Sequence, residues 1–83
     1  MNVSLTGFVI YTQAKMTKEN KSLVDVWIVQ EGEQQPVLAF AEASALPLVP
    51  TVGELIEADC DVWVSRFNGG TLQTRLNSYR SAA

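Results

Sequence analysis

The chain has 83 residues, of which 47% are hydrophobic and 18% charged, with a formal net charge of −3 and a sequence pI of about 4.6. This length and balance indicate one globular domain over residues 1–83, since disordered chains combine low hydrophobicity with high net charge. The chain has no histidine and one cysteine. That excludes a histidine-based catalytic triad, an ordinary zinc site and an intramolecular disulfide, and it favours a reduced, intracellular protein.

Apolar and polar residues alternate along most of the chain, which predicts strands instead of helices. Five segments carry this pattern: residues 3–11, 23–30, 37–42, 54–66 and 71–80. The polar, basic stretch 12–22 predicts a loop or a long hairpin tip. Asn68-Gly69-Gly70 predicts a tight hairpin turn, because Asn and Gly tolerate positive φ, and Pro47 and Pro50 disfavour a regular helix over residues 43–51. No leader pattern is present and the apolar runs are far below the ~20 residues that span a bilayer, so we expect no membrane partner.

Five short strands without crossover helices predict a small all-β barrel. Their order is strand, long loop, strand, turn, strand, irregular link, strand, tight hairpin, strand. This order is typical of an OB-fold whose helix is reduced to a loop, so we predict a five-stranded antiparallel OB-fold barrel with little or no helix. Gly7, inside the first strand, suits the sharp bend that a closed barrel requires. An SH3-like barrel has the same strand count and is the alternative to the OB-fold.

Alternation also predicts which side chains face away from the barrel interior. The fourth strand alternates between three carboxylates and five residues that are apolar or nearly so: Ile56, Ala58, Cys60, Val62 and Val64. Unpaired carboxylates are too costly in a core, so the apolar set is predicted to face in and Trp63 to face out. In the same way Asp25 places Trp27 outside on the second strand. On the fifth strand the polar, outer face is predicted to include Tyr79, and Phe67 falls at the mouth of the last hairpin.

Large aromatic side chains on the outside of a small domain need an explanation. Three explanations are consistent with such exposure: base stacking in a nucleic-acid site, a dimer contact and local packing. The basic residues lie in the first loop and around the last hairpin, and in an OB-fold these two connections flank one groove. The predicted nucleic-acid-binding residues are therefore Lys15, Lys18, Lys21, Trp27, Trp63, Arg66, Phe67, Arg75 and Tyr79.

The carboxylates Glu57, Asp59 and Asp61 form a row on one strand face, about 6.5–7 Å apart. Neither a histidine nor a glycine-rich loop accompanies them, and catalytic centres normally need such supporting groups. Cys60 alternates inward and is predicted to be a core residue. We therefore expect no enzyme, no catalytic residue, no metal or cofactor and no small-molecule substrate.

Short motifs over roughly residues 15–80 resemble the gene-five (helix-destabilising) single-stranded-DNA-binding proteins of filamentous phages. They are the basic loop followed by Lys21-Ser22-Leu23, then Pro36-Val37-Leu38, Pro50 and Gly53 before the fourth strand, and Ser65-Arg66-Phe67 leading through Gly70-Thr71-Leu72 to Arg75. The resemblance implies a homodimeric OB-fold protein that binds single-stranded DNA, in the cytoplasm of a bacterial host. The chain departs from that family where it has Lys21 or Ser22, and Gln35, in place of aromatic residues.

Two functions are consistent with these observations. The first is sequence-nonspecific binding of single-stranded DNA, with RNA as a second ligand, by base stacking and phosphate neutralisation. The alternative, favoured by the negative net charge, is an acidic small-barrel protein-interaction module of phage or mobile-element origin. In the first case Trp63 and Arg75 are expected to be neighbours across the last hairpin, so that the ring takes a base and the guanidinium a phosphate.

Overall fold

The computed structural model describes residues 1–46, 48–66 and 69–82. It contains five strands, β1 Asn2–Met16, β2 Ser22–Gln30, β3 Val37–Glu42, β4 Leu55–Ser65 and β5 Thr71–Ser81, and a short 3-10 turn at Ala43–Ala45. All five strands were predicted. β1 is longer than expected, because residues 12–16 extend the hairpin with β2 instead of forming a loop. The predictions for Pro47, Phe67 and Asn68 fall outside the described residues.

The strands close into a barrel in the order β1–β2–β3–β5–β4, and β4 pairs back to β1. Every neighbouring pair is antiparallel except β3 and β5, which run parallel and meet at Phe40 and Arg75. This confirms the predicted five-stranded OB-fold barrel, with one parallel closing pair. Among the described residues, no helix is long and apolar enough to cross a membrane.

β1 holds the barrel together by pairing with two strands. Residues 2–8 pair with β4 and residues 7–16 pair with β2, so Gly7 lies between partners on both sides. A Cβ atom at Gly7 would lie 2.3 Å from the carbonyl oxygen of Val29 and 2.8 Å from Cγ2 of Ile28. Glycine is therefore required at this position by the close approach of the β2 backbone.

The barrel interior is filled by side chains from all five strands and from the link after β3. They are Val9, Val24, Val26, Ile28, Ala39, Ala41, Leu46, Ile56, Ala58, Cys60 and Leu76. On β2 the core residues Val24, Val26 and Ile28 alternate with Asp25 and Trp27, and the first three predicted inward residues of β4 are confirmed. Val62 is only half-buried and Val64 is 60% exposed, contrary to prediction. β1 accompanies β4 only as far as Asp61, so beyond that residue β4 and β5 continue as a hairpin arm without a core beneath them.

A bulge in β1 changes the side to which Tyr11 points. The register with β2 slips between Val9 and Tyr11, which leaves Ile10 as the extra residue. Val9 is paired with the core residue Ile28, whereas Tyr11 is paired with Trp27. Directly paired residues share a face, so the bulge places Tyr11 outside, beside Trp27.

A second slip, between Asp59 and Cys60 on β4, makes Asn77 the extra residue on β5. Tyr79 is consequently paired with the core residue Ala58, packs against the core, and donates a hydrogen bond from its hydroxyl to the carbonyl oxygen of Leu48 at 3.0 Å. The prediction that Tyr79 lies on the outer face was wrong. Alternation assumes an unbroken period of two, and a bulge reverses the facing of every residue after it.

Candidate nucleic-acid interface

One continuous outer face runs across β2, β3 and β5 between two hairpins. Asp25 is paired with Phe40, and Phe40 with Arg75, so these three side chains point to the same side of the sheet. The β1–β2 hairpin borders this surface on one side and the β4–β5 hairpin on the other. OB-folds bind oligonucleotides and oligosaccharides at this position. We call it the aromatic face and define it by Tyr11, Lys15, Asp25, Trp27, Leu38, Phe40, Trp63, Gln73 and Arg75.

Two aromatic pairs give the face its shape. The ring centroids of Tyr11 and Trp27 lie 5.1 Å apart, with the planes tilted by 49°. Those of Phe40 and Trp63 lie 5.8 Å apart in an edge-on arrangement at 83°. Tyr11 is 52% and Trp63 40% exposed, and the other two rings are half-buried. Each pair therefore fixes its rings in position while leaving ring surface open to a ligand.

A cleft of about 390 Å³ lies between the two hairpins. Its lining comes from β1, β2, β3 and β5: Lys15, Leu23, Asp25, Leu38, Phe40, Thr71, Leu72, Gln73 and Thr74. More of the lining surface is apolar than polar, so the cleft suits a partly apolar group. The described part of the chain thus offers a cleft whose lining includes the ring of Phe40.

The two cations that project from strands on this face are both ion-paired. Lys15 Nζ lies 3.1 Å from Oδ2 of Asp25, and Arg75 Nη2 donates to Oδ2 of Asp61 at 2.9 Å. The guanidinium carbon of Arg75 also lies 5.9 Å from the centre of the Trp63 ring. The predicted proximity of Trp63 and Arg75 is therefore confirmed. The carboxylate that holds Arg75 follows from the β4–β5 register, in which Asp61 is the direct partner of Arg75.

The two carboxylates have different surroundings. The pKa of Asp61 is held below its ordinary value of 3.8 by hydrogen bonds from Arg75 first, then from Asn77 and Asn2. Asp25 is only 6% exposed, and among the described groups its Oδ1 has no hydrogen-bond partner. Asp61 thus has several donors, whereas Asp25 depends on the ammonium of Lys15.

Three further predicted cations lie in the turns that border the face. Lys18 and Lys21 are exposed in the β1–β2 turn, where the backbone N–H of Thr17 donates to the carbonyl of Lys21 at 2.9 Å. Arg66 is exposed at the end of β4. Within the described ranges, none of these three side chains forms an ion pair. Their positive charge is therefore available to an approaching anion.

The structure brings four of the predicted residues together on the aromatic face: Lys15, Trp27, Trp63 and Arg75. Lys18, Lys21 and Arg66 lie at its borders, Tyr79 points into the barrel, and Phe67 lies outside the described residues. Sequence reasoning missed Tyr11, Leu38 and Phe40. Alternation with the exposed Glu42 could have placed Leu38 and Phe40 outside, whereas no local pattern marks the bulge that turns Tyr11 outward.

The carboxylate row on β4 is tied to the amino-terminal residue of β1. The Nδ2 of Asn2 donates to Oδ1 of Asp59 at 2.8 Å and to Oδ1 of Asp61 at 3.5 Å. Across the part of the chain that the structure describes, no three acidic or cysteine side chains group as they would around a metal ion.

Two crystal structures of the mitochondrial single-stranded DNA-binding protein Rim1 from S. cerevisiae have a similar fold. One matches with a TM-score of 0.81 and 14% identity, covering 99% of this chain and 95% of that chain. The other has a TM-score of 0.67 and 12% identity, covering 99% and 93%. No protein-family model matches the sequence, and a search of curated proteins gives no match. The chain is thus an OB-fold protein with exposed aromatic rings and paired cations on the surface between its two hairpins.

Proposed function

We propose that the protein binds single-stranded DNA on the aromatic face, without catalysis and without reading sequence. The observation that carries this proposal is the placement of the Tyr11–Trp27 and Phe40–Trp63 pairs between two hairpins with basic turns. The fold likeness to Rim1, a single-stranded DNA-binding protein, supports it. The resemblance of residues 15–80 to the phage gene-five type supports the same class of ligand.

Stacking and charge have separate tasks in this mechanism. A base stacked on an aromatic ring contributes about 1–3 kcal/mol, and every base has a face that can stack. Lys18, Lys21 and Arg66 attract phosphates from both borders of the face. The rings accept any base, so the binding tolerates all sequences, and single-stranded RNA is the second ligand to be tested.

We also propose a homodimer. Outside the aromatic face, Phe8 is 51%, Ile10 45% and Val52 56% exposed, which is more apolar surface than a small monomer usually carries. Among the residues that the structure describes, β1 is paired from Ile10 onward on the β2 side only, which leaves its other edge open to a second chain. Sedimentation equilibrium should give about twice the chain mass of 9.1 kDa. A mass of one chain at micromolar concentration would reject the dimer.

Tryptophan fluorescence tests the binding proposal, because both tryptophans, Trp27 and Trp63, lie on the aromatic face. Titration with oligo(dT) should quench the emission, and Phe40→Ala should weaken binding about 5- to 100-fold through the loss of one stacking ring. The matched control is Phe8→Ala, which removes an exposed phenyl ring away from the face and should leave affinity unchanged, provided that its mass by sedimentation equilibrium equals that of the wild type. Equal affinity of both variants and the wild type would assign Phe40 to the fold only.

The alternative function, an acidic protein-interaction module, is favoured by the net charge of −3. A salt series separates the two. Binding to single-stranded DNA must weaken steadily as salt rises, since each phosphate contact releases counterions. A contact made through apolar rings with another protein would change little over the same range. Failure to bind oligo(dT) at low salt would favour this alternative.

A further inference from the structure

We propose that Asp61 competes with the phosphate backbone for Arg75, so that this carboxylate limits the affinity of the aromatic face for single-stranded DNA. The inference rests on the proposed function and adds the residue that tunes it. In the free protein Asp61 occupies the guanidinium, and in the complex a phosphodiester takes its place. Lys15, by contrast, stays on Asp25.

At Arg75 the exchange replaces one anionic oxygen partner of the guanidinium with another. A phosphate oxygen and a carboxylate oxygen are equivalent partners for a guanidinium, which offers five N–H donors. The pair is open to solvent, with the Arg75 side chain 49% and the Asp61 side chain 34% exposed. The guanidinium also lies beside the Trp63 ring, at 5.9 Å, where a stacked nucleotide would bring its phosphate. While Asp61 is in contact, its charge cancels that of Arg75 and repels the incoming anion.

Asp61 is able to release Arg75 because it has other donors. Asn2 Nδ2 lies 3.5 Å from Oδ1 of Asp61, and Asn77 also donates to this carboxylate. Both amides remain in place when the guanidinium turns away. The carboxylate is partly solvated as well, so it does not become a buried charge without a partner.

Among the described groups, Asp25 has no additional hydrogen-bond donor of this kind. Its side chain is 9% exposed, and Oδ1 already lacks a partner among the described groups. If Lys15 moved to a phosphate, Asp25 would keep a buried charge with no counter-ion, which is strongly unfavourable. The two ion pairs of the aromatic face thus differ. Arg75 can exchange its carboxylate for a phosphate, whereas Lys15 remains paired with Asp25.

The test compares Asp61→Asn with Asp59→Asn in oligo(dT) titrations over a salt series. Both variants raise the net charge by one on the same face of β4, but Asp59 forms no ion pair within the described ranges. Asp61→Asn should tighten binding about three- to tenfold more than Asp59→Asn, the range expected for freeing one charged hydrogen bond at a partly exposed site. It should also steepen the plot of log affinity against log salt by about 0.7.

A double variant tests whether the gain in affinity from Asp61→Asn acts through Arg75. In an Arg75→Gln background, Asp61→Asn should lose its advantage over Asp59→Asn, because no guanidinium is left to free. If Asp61→Asn does not fold, as judged by its melting transition, Asp61→Ser replaces it. Equal gains from the Asp61 and Asp59 variants, with the wild type binding normally, would overturn the inference alone. Absence of binding by the wild type at low salt would overturn the proposed function and this inference together.

Discussion

Cys60 lies fully buried in the barrel, and its thiol has no role on the aromatic face. Burial, and after it the charges of Asp59 and Asp61, raises the pKa of the thiol from 9.0 to about 11. A raised folded-state pKa stabilises the protein below the unfolded value, and this contribution is lost as pH rises from 9.0 toward 11. Raising the pH above 9.0 is therefore expected to destabilise the folded protein through the Cys60 thiol.

The free energy of unfolding should fall by about 2–3 kcal/mol between pH 9 and pH 11 as the unfolded thiol ionises, at about 1.4 kcal/mol for each unit of pKa difference. Urea denaturation across this range measures it. Cys60→Ala is the reference, because it keeps the titration of the tyrosines and lysines and removes only that of the thiol. Parallel pH profiles for the two proteins would contradict the assignment.

The β1–β2 hairpin combines a structural ion pair with residues that we propose contact the ligand. Its strands continue beyond the segment that β4 accompanies, and its turn carries Lys18 and Lys21. Within it, Lys15 is half exposed and neutralises the buried Asp25 at 3.1 Å. The three lysines of the hairpin therefore differ: Lys15 neutralises a buried carboxylate, whereas Lys18 and Lys21 form no ion pair within the described residues and are proposed to contact the ligand.

Lys15→Ala should destabilise the protein by about 1–2 kcal/mol, because it leaves the buried carboxylate of Asp25 without a counter-ion. The loss is below the 3–5 kcal/mol of a fully buried pair, since Lys15 itself is in contact with water. Lys18→Ala, which removes the same side chain from the turn, should change stability by less than about 0.5 kcal/mol. Chemical denaturation measures both, and equal losses would show that the Lys15–Asp25 pair contributes nothing.

For the whole molecule, charge distribution matters more than net charge. The protein carries −3, yet the cations without an ion pair among the described residues border the aromatic face, and Asp61, the β4 carboxylate that contacts this face, is paired with Arg75. Under the proposed function, we expect electrostatic attraction to come from Lys18, Lys21 and Arg66, because Lys15 is held by Asp25 and Arg75 exchanges one partner for another. We therefore expect DNA to be bound largely through the rings and only modestly through charge.

The salt dependence should accordingly be shallow. Three phosphate contacts on a single strand predict a slope of log affinity against log salt of about −2, at about 0.7 for each contact. Lys21→Gln should reduce the magnitude of that slope by about 0.7, and Trp63→Ala should lower affinity without altering it. Oligo(dT) titrations at several salt concentrations measure these quantities. A slope of about −3.5 would mean that Lys15 and Arg75 act as free charges too, because five contacts would then contribute.

Local alternation was sufficient to place much of the molecule. The pleat of a strand sends successive side chains to opposite sides, so the position of Asp25 and of the β4 carboxylates put Trp27 and Trp63 outside without any knowledge of the fold. The register across a tight hairpin likewise follows from counting residues, which is why Trp63 and Arg75 were expected as neighbours.

Features that depend on closure of the barrel lay beyond local patterns. The bulges at Ile10 and Asn77 reverse the facing of Tyr11 and Tyr79, because each adds one unpaired residue that an unbroken period of two does not reveal. Phe40 reaches Trp63 only because β3 and β5 meet in parallel. That contact therefore depends on tertiary pairing, since β4 separates β3 from β5 along the chain.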